Sequence, residues 1–282
     1  MFGVVPRVLW ERVCPPDELN RVRLNMNCVF IETPSEKILI ETGIGEKWSE
    51  KETAMYGIFR ERSFAETLYD KAGVRPEEIT IVVNTHLHFD HAGGNTSISD
   101  FGSRIADFDP LTGQREKVTA NPHSALPIPQ FRNARYYVSK SELAAAQSPH
   151  ERDRASYLLA NWQPLIESGQ LELKPDSYDV VDGLRMETIT GHSKTMQTWR
   201  LDRGCQTVYG FADLIPTRHH LSPAWIMGYD LYPTETLEFK KRILPDAVAE
   251  NWLCLFYHDL EWPLCRLTSE NGKIRAEAVS TN

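Results

Sequence analysis

The chain has 282 residues, 41% hydrophobic and 25% charged, with a formal net charge of −8. That composition supplies a full core and excludes a disordered or fibrous protein, and the acidic balance argues against nucleic acid or an anionic membrane as the main partner. Five cysteines (Cys14, Cys28, Cys205, Cys254, Cys265) include no Cys-x-x-Cys pair, so neither a disulfide framework nor a Cys-based zinc site is expected.

In chain order, residues 1–10 form an apolar arm that packs on its own domain or on a neighbouring subunit. Residues 22–31 read as a strand, Pro34-Ser35-Glu36 as a turn, and residues 37–41 as the returning strand of a hairpin. Residues 63–72 are helical, with Phe64, Leu68 and Ala72 on one face and Gly73 closing the helix. Residues 79–84 are apolar and β-branched, the pattern of a strand buried on both faces. A short strand at 135–138 precedes a helix at 141–147, with Ser141 as its N-cap. Residues 156–168 read as an amphipathic helix interrupted by Pro164. Strands follow at 171–173, 184–189 and 207–211, then a helix at 236–244 with Leu237 and Ile243 towards the core. Two successive sets of strands with helices between them describe a layered α/β protein. No linker or repeat divides it, so one domain over 1–282 is expected. No run of about 18 apolar residues marks a membrane helix. No leader pattern is visible either, so the expected compartment is the cytoplasm.

The densest chemistry follows the strand at 79–84, in Thr85-His86-Leu87-His88-Phe89-Asp90-His91-Ala92-Gly93-Gly94-Asn95. Three imidazoles and a carboxylate in six consecutive residues have no evident packing purpose. Neutral imidazole and carboxylate suit Zn²⁺ and other first-row divalent metals. His86 and His88 can reach one ion together; Asp90 and His91 point to a second beside it. Gly93 and Gly94 are read as giving the chain conformational freedom after the last His. The carboxyl end of a strand is a common place for sites in layered α/β folds.

This motif resembles that of the metallo-β-lactamase superfamily of metal-dependent hydrolases, and the resemblance extends over nearly the whole chain. Ile38-Leu39-Ile40-Glu41-Thr42-Gly43-Ile44-Gly45 is similar to the family's strand ending in Asp-Thr-Gly, with Glu41 in place of Asp. Thr190-Gly191-His192-Ser193, Tyr209-Gly210-Phe211-Ala212-Asp213 and Phe256-Tyr257-His258-Asp259 are similar to the segments that bring the later ligands. The resemblance implies a four-layer αββα sandwich with a metal pair at one edge between the sheets. His86, His88 and His192 would hold the first ion, and Asp90, His91 and His258 the second, with Asp213 bridging. Taken alone, His192 and His258 would be ordinary structural histidines and Asp213 a turn residue; the strand-like segments before them favour ligands. The cofactors implied are two divalent ions, zinc first, with iron, manganese or cobalt as alternatives. The activity implied is hydrolysis of a small ester-type substrate (lactone, carboxylic ester or phosphotriester) through a metal-bridging hydroxide, with Asp90 and Asp213 as catalytic residues.

Departures narrow the reading. The family's Gly-His-Thr-Pro-Gly-His becomes Gly191-His192-Ser193-Lys194-Thr195-Met196. Asp213 stands where one class of β-lactamases carries Cys, which turns the reading from antibiotics towards lactonases and phosphotriesterase-like enzymes. Pro216 replaces the Tyr of acyl-homoserine lactonases, leaving Tyr229 or Tyr232 as the candidate phenol. The alternatives are a mononuclear iron oxidoreductase resembling persulfide dioxygenases, and a non-catalytic metal-stabilised binding protein. Residues 45–62, with Trp48, Tyr56 and Phe59, are a candidate pocket wall. Residues 97–130 are a candidate lid that could equally be a surface excursion or subunit contact, a homodimer being compatible with the chain. His219 and His220 are read as pocket residues or as supports behind the ligands.

Overall fold

Ile38-Leu39-Ile40 and Ile81-Val82-Val83 are unbroken apolar runs because both faces of their strands are covered. The computed structural model describes residues 1–98 and 126–279. Its strands are β1 (Val29–Glu32), β2 (Lys37–Ile40), β3 (Ile81–Val83), β4 (Thr96–Ile98), β5 (Pro127–Pro129), β6 (Arg135–Ser139), β7 (Leu171–Lys174), β8 (Ser177–Val181), β9 (Leu184–Thr188), β10 (Gln197–Arg203), β11 (Gln206–Gly210), β12 (Leu253–Leu255), β13 (Leu264–Glu270) and β14 (Lys273–Ala278). The helices are α1 (Arg7–Trp10), α2 (Glu50–Tyr56), α3 (Phe64–Ala72), α4 (Phe89–Ala92), α5 (Lys140–Gln147), α6 (Gln163–Glu167) and α7 (Pro233–Ala249). No helix among the described residues is long and apolar enough to cross a membrane.

One sheet has the order β1-β2-β3-β6-β7, parallel except for the β1–β2 hairpin. The other has the order β14-β13-β12-β11-β10-β9-β8, antiparallel except for β11–β12. The pleat sorts side chains between layers. Ile38, Ile40, Ile81, Val83 and Tyr137 share a core with Tyr178, Leu184, Met186 and Trp199 of the second sheet. The alternate residues Leu39, Val82 and Tyr136 join Leu68 of α3 and Leu165 of α6. Behind the second sheet, Tyr209, Cys254 and Leu267 join Phe239, Leu244 and Ala247 of α7. The layers run helix, sheet, sheet, helix, which is the expected αββα sandwich. At about 1.5–3 kcal/mol per fully buried aliphatic side chain, these interleaved cores dominate the favourable side of folding.

Local chemistry explains where elements start and stop. Ser63 and Glu66 form a capping box: Ser63 Oγ accepts from Glu66 N at 3.2 Å, and Glu66 Oε2 accepts from Ser63 N at 2.8 Å. The cap of α5 is Ser139 rather than Ser141, accepting from Glu142 N at 3.1 Å, while the Ser141 hydroxyl turns to Asp176. Residues 156–168 are not one helix. Short 3₁₀ turns at Arg154–Ser156 and Leu159–Asn161 precede α6, whose first turn contains Pro164, where a missing N–H costs nothing. Residues 22–28 carry no ladder, because Asn25 N and Asn27 N donate across the molecule to His258 O (3.3 Å) and Tyr257 O (2.8 Å). α7 runs well beyond 236–244 and contains Pro245. The amino-terminal arm packs on its own chain: the Phe2 ring stacks on His220 with centroids 4.5 Å apart.

Gly93 and Gly94 serve a different purpose from the one expected. Gly93 has ordinary helical angles (φ −59°, ψ −36°), so conformational freedom is not what it supplies. Close approach is: a Cβ on Gly93 would lie 2.2 Å from Ile44 O, and one on Gly94 2.3 Å from Thr42 O. The motif loop lies backbone to backbone on the turn after β2. Gly93→Ala should therefore cost roughly 1–3 kcal/mol by overpacking, read as a lowered urea midpoint; an unchanged midpoint would remove the close-approach role.

Candidate metal centre

β3 ends at Val83, and the chain bends at Thr85 and passes through His86, Leu87 and an extended His88 before turning into α4. Alternation does the first sorting. Leu87 is fully buried with Val138, Leu143 and Trp162, which leaves His86 and His88 on the opposite side. Leu87 N donates to the buried carboxylate of Glu142 at 2.7 Å, pinning the register. His88 caps α4, and that single turn carries Asp90 and His91 round towards the same centre.

The other three expected residues come from the second sheet. β9 leads to Gly191–His192, and the altered turn is closed by a side chain: Ser193 Oγ accepts from Thr195 N (3.2 Å) and Met196 N (2.9 Å). β11 runs into Ala212, whose φ of +47° turns the backbone sharply just before Asp213. β12 leads to His258, whose N–H donates to Pro216 O at 2.8 Å.

All seven side chains meet. His86, His88 and His192 form one set, and Asp90, His91, Asp213 and His258 another; within each set the potential ligand atoms lie within 4.8 Å of one another. Asp213 reaches both: Oδ1 lies 3.1 Å from His91 Nε2 and 3.2 Å from His258 Nε2, and Oδ2 lies 3.5 Å from His192 Nε2. His88 Nδ1 and His192 Nε2 are 3.1 Å apart. His258 Nε2 is 3.5 Å from Asp90 Oδ2. His86 Nε2, His91 Nε2 and Asp213 Oδ1 are buried without a hydrogen-bond partner. The short His91–Asp213 approach is thus not aligned as a hydrogen bond; the atoms converge on shared space. Buried polar atoms are otherwise nearly always paired, so this donor set fits divalent metal ions.

The far sides of the imidazoles are held. His91 Nδ1 is 3.2 Å from Glu41 Oε1, His192 Nδ1 is 3.1 Å from Asp230 Oδ1, and His258 Nδ1 is 2.8 Å from Asn25 O. His86 Nδ1 meets Thr85 Oγ1 at 3.0 Å, and that hydroxyl also bonds Glu41. Such contacts orient ligand imidazoles in metal sites. Glu41, His86 and His91 also lie close enough to form a ligand group. Glu41 already accepts from Thr85 N (3.1 Å) and Asn84 Nδ2 (3.4 Å), so it reads as a support. Sequence reasoning noticed Glu41 only as a departure and missed Asp230, Glu142 and Tyr257. Tyr257 stacks on His91 (4.2 Å) and donates to Asp90 O at 2.7 Å.

The electrostatics follow from burial against mutual charge. Burial, then the neighbouring His91 and His88, hold the His86 pKa well below the ordinary imidazole range. Burial would lower His91 too, but Asp213 and Glu41 outweigh it and raise it well above that range. Burial would raise Asp213, yet His91, His258 and His192 hold it well below the usual carboxylate range.

Other candidate residues stand apart. His220 is fully buried, bonds Thr217 Oγ1 at 2.8 Å and belongs to neither set. Tyr229 is 60% exposed, whereas Tyr232 is half-buried and its N–H bonds Gly191 O at 2.9 Å. Trp48 and Tyr56 each lie 5.5 Å from the Phe89 ring, so the 45–62 segment does border the motif. Of the 97–130 segment, β4 and β5 pair with each other, and residues 99–125 lie outside the described residues.

The profile of the metallo-β-lactamase superfamily matches residues 22–101. An N-acyl homoserine lactonase from Bacillus cereus is 32% identical over 90 residues, 29% of this chain and 36% of that protein. The match thus spans little more than a third of the relative's length. A probable metal-dependent hydrolase from Staphylococcus aureus superposes with a TM-score of 0.82 at 26% identity, covering 100% of this chain and 91% of that one. AidC, a dizinc quorum-quenching lactonase in complex with a product, superposes with a TM-score of 0.67 at 16% identity, covering 92% and 81%. Residues 22–101 of this chain thus match the metallo-β-lactamase superfamily, and its described length shares the fold of a probable metal-dependent hydrolase.

Proposed function

We propose that this single-domain chain is a dinuclear metal-dependent hydrolase of small ester-type substrates: lactones, carboxylic esters or phosphotriesters. The observation that carries the reading is the convergence of seven buried or half-buried groups with Asp213 directing one oxygen to each set. His86, His88 and His192 would hold one ion, Asp90, His91 and His258 the other, and Asp213 both. Zinc suits the imidazole and carboxylate donors, with iron, manganese and cobalt as alternatives. When bound, such ions lower the pKa of water and polarise the oxygen on which charge develops.

The chain's own groups supply the rest. Asp213 carries its charge without water around it, so its two oxygens are pre-set towards the two sets. Asp90 differs: its side chain is 22% exposed, against 2% for His258 and none for His91. It is the carboxylate placed to exchange a proton with solvent or with a leaving group. Trp48, Tyr56 and Phe89 form an aromatic wall beside it, and a cavity of about 330 Å³ lined by Glu46, Trp48, Thr53, Ile58, Phe59 and Arg60 shares Trp48 with that wall. Its mixed lining suits a substituent with both apolar and polar groups. The names of the lactonase relatives favour a lactone among the three substrates. Pro216 gives its carbonyl to His258 N and offers no phenol.

Metal analysis of reconstituted protein should find two ions per chain, and at most one would overturn the dinuclear reading. Asp213→Ala should remain folded by circular dichroism while kcat falls on the order of 10²–10³, the scale of losing one electrostatic stabiliser; near-wild-type turnover at full metal content would take Asp213 out of the shared role. Metal-replete protein offered lactones, aryl esters and phosphotriesters should turn over at least one class. Oxygen uptake with glutathione persulfide, and no hydrolysis, would replace the hydrolase with the mononuclear iron oxidoreductase.

A further inference from the structure

The turn before α7 carries a carboxylate, Asp230, that faces a single imidazole. Asp230 is 2% exposed. Its Oδ1 lies 3.1 Å from His192 Nδ1, and its Oδ2 accepts from Thr236 Oγ1 at 2.7 Å. Main-chain bonds fix the two segments together: Leu231 N donates to His192 O and Tyr232 N to Gly191 O, each at 2.9 Å. One turn along α7, the buried Lys240 Nζ donates to His220 O (2.7 Å) and Trp225 O (2.6 Å), tying down the loop that leads to this turn. Imidazole and carboxylate are therefore held from both sides.

The partners of the other imidazoles differ. In the same set, His86 Nδ1 faces a hydroxyl, and His88 Nε2 is 3.8 Å from Asp153, beyond a hydrogen bond. In the second set, His91 leans on Glu41 and His258 on a backbone carbonyl. Asp230 touches one imidazole of one set.

We infer that Asp230 is a positioning residue dedicated to the His86–His88–His192 metal position. By accepting from Nδ1–H it fixes the His192 tautomer, aims Nε2 at that position and raises the ring's basicity there. Thr236 holds the carboxylate in that pose. The inference rests on the dinuclear reading and adds an asymmetry to it: the two positions are supported by different side chains and can be weakened separately.

The test uses the full chain. Asp230→Asn keeps the shape and an acceptor facing His192 but removes the charge. Zn²⁺ affinity is read for both sites by competition with a chromophoric chelator, and Co²⁺-loaded protein is read by visible absorption. One site should weaken about 10- to 100-fold, the usual range for losing an outer partner, while the other, whose imidazoles Asp230 does not touch, weakens less. The Co²⁺ bands of the weakened site should shift. The same loss should appear in a His258→Asn background, which leaves the His192 site alone. Thr236→Val, which frees the carboxylate without discharging it, should give a smaller loss at the same site, and it carries the test should Asp230→Asn fail to fold. Unchanged affinities and spectrum despite a lower Tm would make Asp230 merely structural, and equal losses at both sites would end its dedication to one; either overturns the inference. A wild-type chain that binds no Zn²⁺ would instead overturn the metal-centre reading itself.

Discussion

A carboxylate stripped of water among imidazoles is the constraint on which this molecule turns. Burial alone would push Asp213 towards its neutral form, yet His91, His258 and His192 hold it ionised. No single element could deliver those neighbours. His91 comes from the loop after β3 in one sheet; His192, Asp213 and His258 come from loops of the other. The charge is therefore satisfied only when the two sheets close on each other. Breaking one member of such a cluster strands the rest, which is why removal of a partner costs more than the cluster itself contributes. Divalent ions fit this arrangement because they answer several lone pairs at once where protein donors would need several more side chains.

Bringing loops into a dry centre creates a second problem, since irregular backbone carries carbonyls that no ladder satisfies. Two lysines solve it on the two sides. Lys47 Nζ donates to Thr96 O at 2.7 Å and to Gly93 O, closing the motif loop onto the turn after β2. Lys240 does the same for the loop between Asp213 and α7. Burial pulls Lys47 down to about 8 and Lys240 down to about 7. The long aliphatic stems suit this duty: they cross apolar surroundings and present a compact donor at the end. Gly93 and Gly94 complete the same packing by letting two backbones touch.

What the sequence made legible follows the range of each interaction. The helix from Ser63 with Gly73 closing it and the unbroken apolar runs of β2 and β3 are local, and each was readable. The motif was readable because its residues sit within six positions. Errors arose where a distant partner won. In residues 22–28, Asn25 and Asn27 gave their N–H groups to the His258 loop instead of extending the hairpin. Ser141 surrendered the cap to Ser139 because its hydroxyl is engaged by Asp176, 35 residues away. α7 outran its expected end at Pro245 because burial of Phe239, Leu244 and Ala247 against the second sheet outweighs one missing N–H. Glu41 and Asp230 were opaque for the same reason: they lie 50 and 38 positions from the imidazoles they hold, and only tertiary structure joins them.

The same geometry gives the centre a direction. Among the described residues, six of the seven side chains are at most a few per cent exposed and Asp90 alone reaches solvent appreciably, so its face is the one turned to water. That face is bordered by Phe89, which the motif places between His88 and Asp90, by Trp48 packed edgewise on it and by Tyr56 tilted against it. A polar reacting group would therefore meet Asp90 while its apolar remainder lies against aromatic carbon. In hydrolysis of an ester that division is useful: a desolvated wall strengthens the electrostatics at the reacting atom, while the one wet carboxylate keeps proton exchange open. Glu41 and Asp230, both buried, hold the far sides of His91 and His192, while the exposed Asn25 gives its carbonyl to His258. The rings of His91 and His192 are thus held by buried carboxylates, whereas Asp90 meets solvent.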